Sequence, residues 1–525
     1  MRRAVFAASA LVLGGALGSC GSGGPTGLSA FDAGSDDATS GGDGNGGSCN
    51  PGQILCGGSC VDTSSDPANC GSCGVSCDGG TCCQSICVSD TASCAFSVLG
   101  ATPHEGNQNG GDWLKLTGNG FGAGIQVFIG DGHAPAMALD ANTVIVQTPP
   151  AVVGNYDITV IQGAQHSTLP QAFLYLGGSE QLPWSEKPMS AVRGEDPGLA
   201  VLQDGRVLVV GGTTVPDSAA NSQATAEIYS RSTDSAVPAA GPMSEIRWHS
   251  SAVTMLDGRV LVVGGAGASA GADLFDPKTN LFKTTAKPLN TARERTRSVL
   301  MTDGRVMVSS EGVATAEIYD PALDAFTEIP QLAVHTWGFI VRMRDGRVLL
   351  GGGDGGQTAC EIFDPASQKF VAAGALNQGR SMLTAHTLPD GRVIVLGGAS
   401  ISAGGVHVPL ASIELYDPKA DKWTVAPYTL STGRTWHASA LVHDGTVLVM
   451  GGYNVDGTCT PTNTVDQVDP VKNTVAPFGT LPHPNTEWTA VTLQDGSVLG
   501  VGGGACGTPL ALPSLDFLPG KGIGQ

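Results

Sequence analysis

At 525 residues the chain exceeds one ordinary domain, and a charged fraction of 14% beside 76 glycines favours short strands and tight turns over helices. The formal net charge of −20 repels phosphate backbones and anionic lipid, which argues against nucleic acid as a partner. Solubility of an exported protein accounts for this charge without any acidic function.

The first residues form an address. Met1-Arg-Arg3 is cationic, and Ala4 to Gly18 is an apolar run too short to span a bilayer, so residues 1–19 read as a signal peptide. The run ends in Leu17-Gly-Ser-Cys20, which resembles the lipobox of bacterial lipoproteins. That resemblance implies lipidation of Cys20, and Gly21 after it implies an outer-membrane or cell-surface location. An ordinary cleavable signal with an incidental cysteine is the other reading. Residues 20–48 are almost entirely Gly, Ser, Asp, Ala, Thr and Asn, a composition that cannot bury a core and serves as a tether.

Residues 49–94 hold Cys49, Cys56, Cys60, Cys70, Cys73, Cys77, Cys82, Cys83, Cys87 and Cys94 with few large apolar residues, so covalent staples must hold the module together. The even count and exported context favour five disulfides, with a zinc site through Cys70-Gly-Ser-Cys73 as the alternative; the pairing cannot be read from sequence. The run from Cys60 to Cys77 resembles the cysteine-rich module of stigma-specific proteins, which implies an extracellular setting and no chemistry.

Residues 95–177 alternate with period two in Trp113-Leu-Lys-Leu-Thr117 and Tyr156-Asp-Ile-Thr-Val160, and turn residues bound each run. The series Thr102-Pro, Gly110-Gly, Gly118-Asn-Gly-Phe121, Thr148-Pro-Pro150 and Ala172-Phe-Leu-Tyr175 resembles the IPT/TIG immunoglobulin-like domain. The resemblance implies a β-sandwich that acts as a spacer or interaction module.

Residues 178–525 repeat. An Asp-Gly turn followed by an apolar run recurs seven times, with its glycine at 205, 258, 304, 346, 391, 445 and 496. Behind most copies come a Gly-Gly pair, then an acidic-apolar-aromatic unit such as Glu227-Ile-Tyr229 or Glu414-Leu-Tyr416, then an aromatic strand. Each copy thus supplies four strands, a to d, and Asp-Gly between apolar runs is a strong hairpin signal. The pattern resembles the kelch repeat and the central domain of galactose oxidase. The expected fold class is all-β: a seven-bladed kelch-type β-propeller preceded by the IPT/TIG sandwich and a small disulfide-rich module. The last copy lacks a clear strand d, and Gln181-Leu-Pro-Trp-Ser-Glu186 is expected to fill that place and close the ring.

Strand parity puts the Asp-Gly and Asp-Pro turns on one face and the b–c and d–a loops on the other. The b–c loops are long in blades one, five and six (213–225, 399–413, 453–466), and loops on a rigid scaffold are where binding concentrates. The d–a loops there carry Arg193, Arg247, Trp248, Arg380, Arg434, Trp436, His437 and Trp488, planar groups that suit sugars or carboxylates; Arg293 and Trp337 belong to the same set. An arginine repeated in most blades also reads as a structural tie. His249 and His437 are taken to occupy similar repeat positions. Cys459 and Cys506 fall in b–c loops of adjacent blades, where a disulfide is expected, and Cys360 reads as a buried free thiol.

The galactose-oxidase resemblance would imply copper chemistry resting on a Tyr-His pair, a second His and a Tyr cross-linked to Cys. No Tyr-His neighbour occurs, so that set does not transfer, and no nucleophile, phosphate-loop or paired-His motif replaces it. The expectation is a non-enzymatic, monomeric surface lipoprotein, without metal or cofactor, that binds extracellular glycan or protein through the long-loop face and meets the membrane through its lipid alone. The alternative is a polysaccharide-active hydrolase or oxidase with a site that no motif advertises.

Overall fold

The computed structural model describes residues 54–56, 59–62, 66, 68–69, 72–77, 81–83, 86–88, 96–177, 184–215, 219–265, 269–454, 461–504 and 514–519. Cys20, Cys49, Cys70, Cys94, Cys459 and Cys506, with the side chains of Cys82, Cys83 and Cys87, lie outside them. In the cysteine-rich segment, Ile54–Cys56 pairs with Ser59–Val61 and Thr81–Cys83 with Ile86–Val88. Cys56 is joined to Cys73, and Cys60 and Cys77 are each disulfide-bonded too, so these four are covalent staples and not thiolate ligands.

Residues 97–176 form a sandwich of one four-stranded and one five-stranded sheet. The alternation read from the sequence is physical: along Trp113–Asn119, Leu114 and Leu116 are buried while Lys115 and Thr117 are exposed. Their inner faces meet over Leu114, Leu116, Val127, Ile129, Val144, Ile158, Val160 and Phe173. Tyr175, fully buried, donates its hydroxyl to the Pro149 carbonyl at 2.7 Å.

Seven four-stranded antiparallel sheets follow. In blade one they are strand a Gly198–Val201, b Val207–Val210, c Ala226–Ser230 and d Ser235–Pro238. Every strand b from blade one to blade six is buried along its whole length, as a strand covered on both faces must be. The glycine of each Asp-Gly turn has a φ between 79° and 92°, which is why the turn keeps glycine in all seven copies. Seven apolar clusters fill the seven inter-blade gaps. Leu261 and Val263 of blade two face Val306, Val308 and Tyr319 of blade three, and Val207, Val209 and Tyr229 of blade one face Leu499 and Phe517 of blade seven.

The ring closes as the sequence suggested. Ser185–Pro188 pairs antiparallel with Ser514–Leu518, Ser185 opposite Phe517, and so supplies strand d of blade seven, while Trp184 packs into the gap between blades six and seven. This pairing removes the edge that a three-stranded last blade would expose.

The sandwich does not stand apart as a spacer. It docks on the pole formed by the Asp-Gly turns. Gln108 donates to the His443 carbonyl at 2.7 Å and Asn109 to the Leu441 carbonyl at 3.0 Å. The His133 amide donates to the Arg344 carbonyl at 2.9 Å, Arg344 pairs with Asp131, and Trp113 and Met137 pack against blades two and three. Residues 107–112 and 147–150 sit over the ends of the seven innermost strands. One mouth of the axial channel is therefore covered by the immunoglobulin-like domain, and a ligand meets the propeller at the other.

Candidate functional site

The repeated arginines lie inside the blades rather than at the mouth. Arg193, Arg247, Arg293, Arg380 and Arg434 are each 0–1% exposed. Each reaches from its d–a loop to the acid on strand c of its own blade: Glu227 at 3.1 Å, Asp273 at 2.7 Å, Glu317 at 3.0 Å, Glu414 at 2.8 Å and Asp466 at 2.9 Å. Most of the remaining donors go to backbone carbonyls and to Ser or Thr hydroxyls of the same blade. Arg247 Nη1 donates to the carbonyls of Gly264 and Gly271, and Arg380 Nη1 to those of Gly397 and Ser412, which pins the Gly-Gly corner between strands b and c. Arg193, Arg247, Arg380 and Arg434 thus act as blade clamps rather than groups presented to the mouth, because each guanidinium is buried and its charge is matched by the acid of its own blade. Blade four substitutes His335, whose Nε2 lies 3.1 Å from Glu361. Blade seven substitutes Asn485 and has no cation; burial, reinforced by nearby Glu186, pushes the Asp516 carboxyl up to about 7.

The residues that form the open mouth stand nine positions before each repeat glycine: Asp196, His249, Arg295, Trp337, Met382, Trp436 and Glu487. All seven have positive φ, from 38° to 55°, although none is glycine. Such residues cost of order 1 kcal/mol or more each and cluster where a fold must aim side chains. Backbone hydrogen bonds hold them in a chain around the mouth. The amide of Met382 donates to the Trp337 carbonyl, that of Glu487 to Trp436 and that of Asp196 to Glu487, at 2.8–2.9 Å. Blade one carries one extra residue between its arginine and its glycine, and this insertion adds Glu195, also at positive φ and only 3% exposed.

The rim has two halves. Blades three to six supply Arg295, Trp337, Met382 and Trp436. The Trp337 and Trp436 rings stand 5.8 Å apart at 66°, and the Arg295 guanidinium lies 5.5 Å from one and 5.7 Å from the other. The blade-five b–c loop folds into its own hairpin, Ala399–Ile401 with His407–Pro409, and brings His407 to 5.9 Å from Trp337. Blades seven, one and two supply Glu487, Glu195, Asp196 and His249. One carboxylate oxygen of each glutamate and a ring nitrogen of His249 lie within 4.8 Å of one another. His249 Nδ1 lies 2.8 Å from Asp196 Oδ2, and the Asp196 carboxyl is held below its usual range by this contact and by Arg297 and Arg295, against the opposing effect of its burial.

The rim encloses a cavity of about 340 Å³ lined by all seven blades. Arg297 faces it from blade three, and enclosure among the blades lowers its pKa. His386 hydrogen-bonds Ser439 at 2.6 Å and burial lowers its pKa to about 4.

The other candidates fall into place around this site. Trp436 is at the rim. His437 lines the cavity below it, 5% exposed, with Nε2 3.0 Å from Thr384 Oγ1, and burial first, then Arg434, lowers its pKa to about 3. Trp488, 4% exposed, packs in the core between blades six and seven, where a Cβ on Gly500 would meet its ring at 2.3 Å. Trp248 is half-buried against the His249 ring, 4.4 Å away and outside the cavity lining. His249 and His437 are not equivalent: nine before the glycine places His249 with Trp436, and His437 with Ser250. Cys360 is buried and free, its thiol pushed up to about 12 by burial. Sequence reasoning missed Glu195, Asp196, Arg295, Met382 and Glu487. Their signal was position alone, since six residue types among seven side chains at one offset from the repeat glycine look like noise until the positive φ is seen.

Among the described residues the copper-radical set is not assembled. The cavity lining contains His249, His386 and His437 but no tyrosine and no cysteine, so the residues present do not fit that cofactor.

Comparisons with known proteins agree with this architecture. The IPT/TIG domain model matches residues 97–175 and the Kelch motif model residues 437–482. Beta-scruin of Limulus polyphemus is 28% identical over 153 residues, which are 27% of this chain and 16% of beta-scruin, so the match spans about a sixth of that relative's length. Among solved structures, a fungal alcohol oxidase with catalytic diversity among the AA5 family, in complex with copper, has a TM-score of 0.51 and 18% identity. The alignment covers 65% of this chain and 76% of that one, and at this identity the likeness shows the fold. The structure of YjhT has a TM-score of 0.43 and 15% identity, over 55% of this chain and 99% of that chain. The chain thus folds as a seven-bladed β-propeller preceded by a β-sandwich, with the sandwich matching the IPT/TIG domain model and blade six the Kelch motif model.

Proposed function

We propose that the protein is an exported, lipid-anchored binding protein that takes extracellular glycan at the open mouth of the propeller. The single observation that carries this reading is the two-sided rim: Trp337 and Trp436 with Arg295 on one side, Asp196 and Glu487 on the other, over a cavity of about 340 Å³. Sugar rings present an apolar C–H face and a girdle of hydroxyls. Indole faces cover the first, and carboxylates accept from the second. The strained rim backbone fixes these groups in advance, so little ordering is required when ligand arrives. The immunoglobulin-like domain blocks the opposite mouth, which leaves a single polar pit open to solvent. The Met1–Cys20 segment supports export and anchoring, and residues 21–48 the reach needed to present the propeller away from a surface.

The reading is non-enzymatic because the described rim and lining residues suit recognition through indole faces, carboxylates and guanidinium groups. The test is a screen of the full-length protein against glycan and cell-wall polysaccharide arrays. Saturable binding of a glycan class supports the proposal. Turnover of the bound glycan, or binding to envelope proteins alone, contradicts it.

A further inference from the structure

We propose that Glu195, His249 and Glu487 form a binding site for one divalent first-row transition-metal cation, of the Zn²⁺ or Mn²⁺ class, at the rim of the open mouth. The three side chains come from three consecutive blades, one, two and seven, and one ligand atom from each lies within 4.8 Å of the others. Glutamates gathered at a rim need no ion, so the weight falls on His249. Its side chain is 95% buried by its 5% exposure, and Nδ1 is committed to Asp196 Oδ2 at 2.8 Å. That contact assigns the ring proton to Nδ1 and leaves Nε2 as a lone-pair donor. Nε2 is buried and has no hydrogen-bond partner. A carboxylate behind an imidazole whose other nitrogen is free is the arrangement that orients metal-binding histidines.

The backbone supports the same reading. Glu195 is there only because blade one carries one residue more than the other six between its clamp and its glycine, and Glu195, His249 and Glu487 all hold positive φ, at 31°, 49° and 53°. Positive φ is common to all seven rim positions, so the feature particular to this cluster is the extra residue of blade one, which places Glu195 beside His249 and Glu487.

The donor set names the class of ion. One imidazole and two carboxylates suit Zn²⁺ or Mn²⁺, whereas Ca²⁺ takes six to eight oxygens and Cu⁺ favours sulfur. Three protein donors leave coordination positions for water or for ligand oxygen. Arg295 and Arg297 act on Asp196 from the same side and compete with a cation for the acidic cluster. The inference does not depend on glycan binding.

The full-length protein would be treated with chelator, dialysed against Zn²⁺, Mn²⁺ or Ca²⁺ separately, and measured by calorimetry and elemental analysis beside His249→Ala and Glu487→Gln. The expected result is one equivalent of Zn²⁺ or Mn²⁺ that wild type binds at least tenfold more tightly than either variant. Relative to its own melting temperature in EDTA, wild type should rise when metal is added and each variant should stay unchanged. Equal uptake by all three would assign the ion to another site, such as the cysteine-rich segment, and overturn the proposal. So would no stoichiometric uptake by wild type, in which case the arginines alone neutralise the cluster.

Discussion

His249 Nδ1 lies 2.8 Å from Asp196 Oδ2, joining the rim residues of two successive blades that stand at the same offset from their repeat glycines. Positions that vary in chemistry from blade to blade are thus wired to each other, while the positions that repeat are buried behind them. Function and scaffold are separated by two positions in six of the d–a loops and by three in blade one, and the predictions follow that separation.

Arg247→Met should destabilise the protein by about 3–5 kcal/mol, because Asp273 keeps its buried charge and loses its partner. Adding Asp273→Leu should recover part of that loss. Chemical denaturation of the two variants measures it; a harmless single variant would show that the clamp is dispensable.

Phe517→Ala should lower stability by about 3–5 kcal/mol. Phe517 is 1% exposed in the seam, paired with Ser185, packed near Tyr229 and overlain by Lys187 and Arg231. If the seam closes the ring, limited proteolysis of the variant should begin in blade seven. Cleavage starting elsewhere would argue against the seam as the closing element.

The pH dependence of Asp516 has a definite sign. Its folded pKa, pushed up to about 7 by burial, stands above the ordinary 3.8, so its protonated form stabilises the fold fully below pH 3.8 and that contribution is lost as pH rises through 7. Asp516→Asn should therefore be more stable than wild type at pH 8 by a few kcal/mol, with the gap closing towards pH 4. Melting curves across pH 4–8 test this, and a gap that does not change with pH refutes it.

His443 works in the opposite direction. Burial lowers its pKa from 6.5 to about 4, and its carbonyl holds Gln108 of the immunoglobulin-like domain. A neutral buried imidazole contributes stability above pH 6.5 that is lost as pH falls towards 4. Hydrogen exchange at the docked face should accelerate over that interval, and His443→Gln should flatten the response.

The architecture was legible because its signals are local and repeated. Asp-Gly turns, Gly-Gly corners and the Glu-Ile-Tyr strand each follow from a backbone need that every blade shares, and the missing last strand pointed to residues 181–186. The site was less legible for the same reason. Arg247 and Arg434 drew attention by recurring, and recurrence marked them as clamps. Glu195 and Glu487 recur in nothing, and their meeting with His249 depends on closure of a ring that brings residue 487 beside residue 195. The docking of the immunoglobulin-like domain was equally hidden, since Gln108 and Asn109 bind main-chain carbonyls that leave no mark in side-chain pattern.

The most direct measurement is the affinity of the best array glycan for wild type, the Trp337→Ala/Trp436→Ala double variant and Trp248→Ala, whose indole lies outside the cavity lining. A loss of about 1 kcal/mol per stacking indole makes the double variant at least tenfold weaker, with Trp248→Ala close to wild type and all three folded. Undiminished binding by the double variant, or a loss confined to Trp248→Ala, would place the ligand elsewhere and contradict the account.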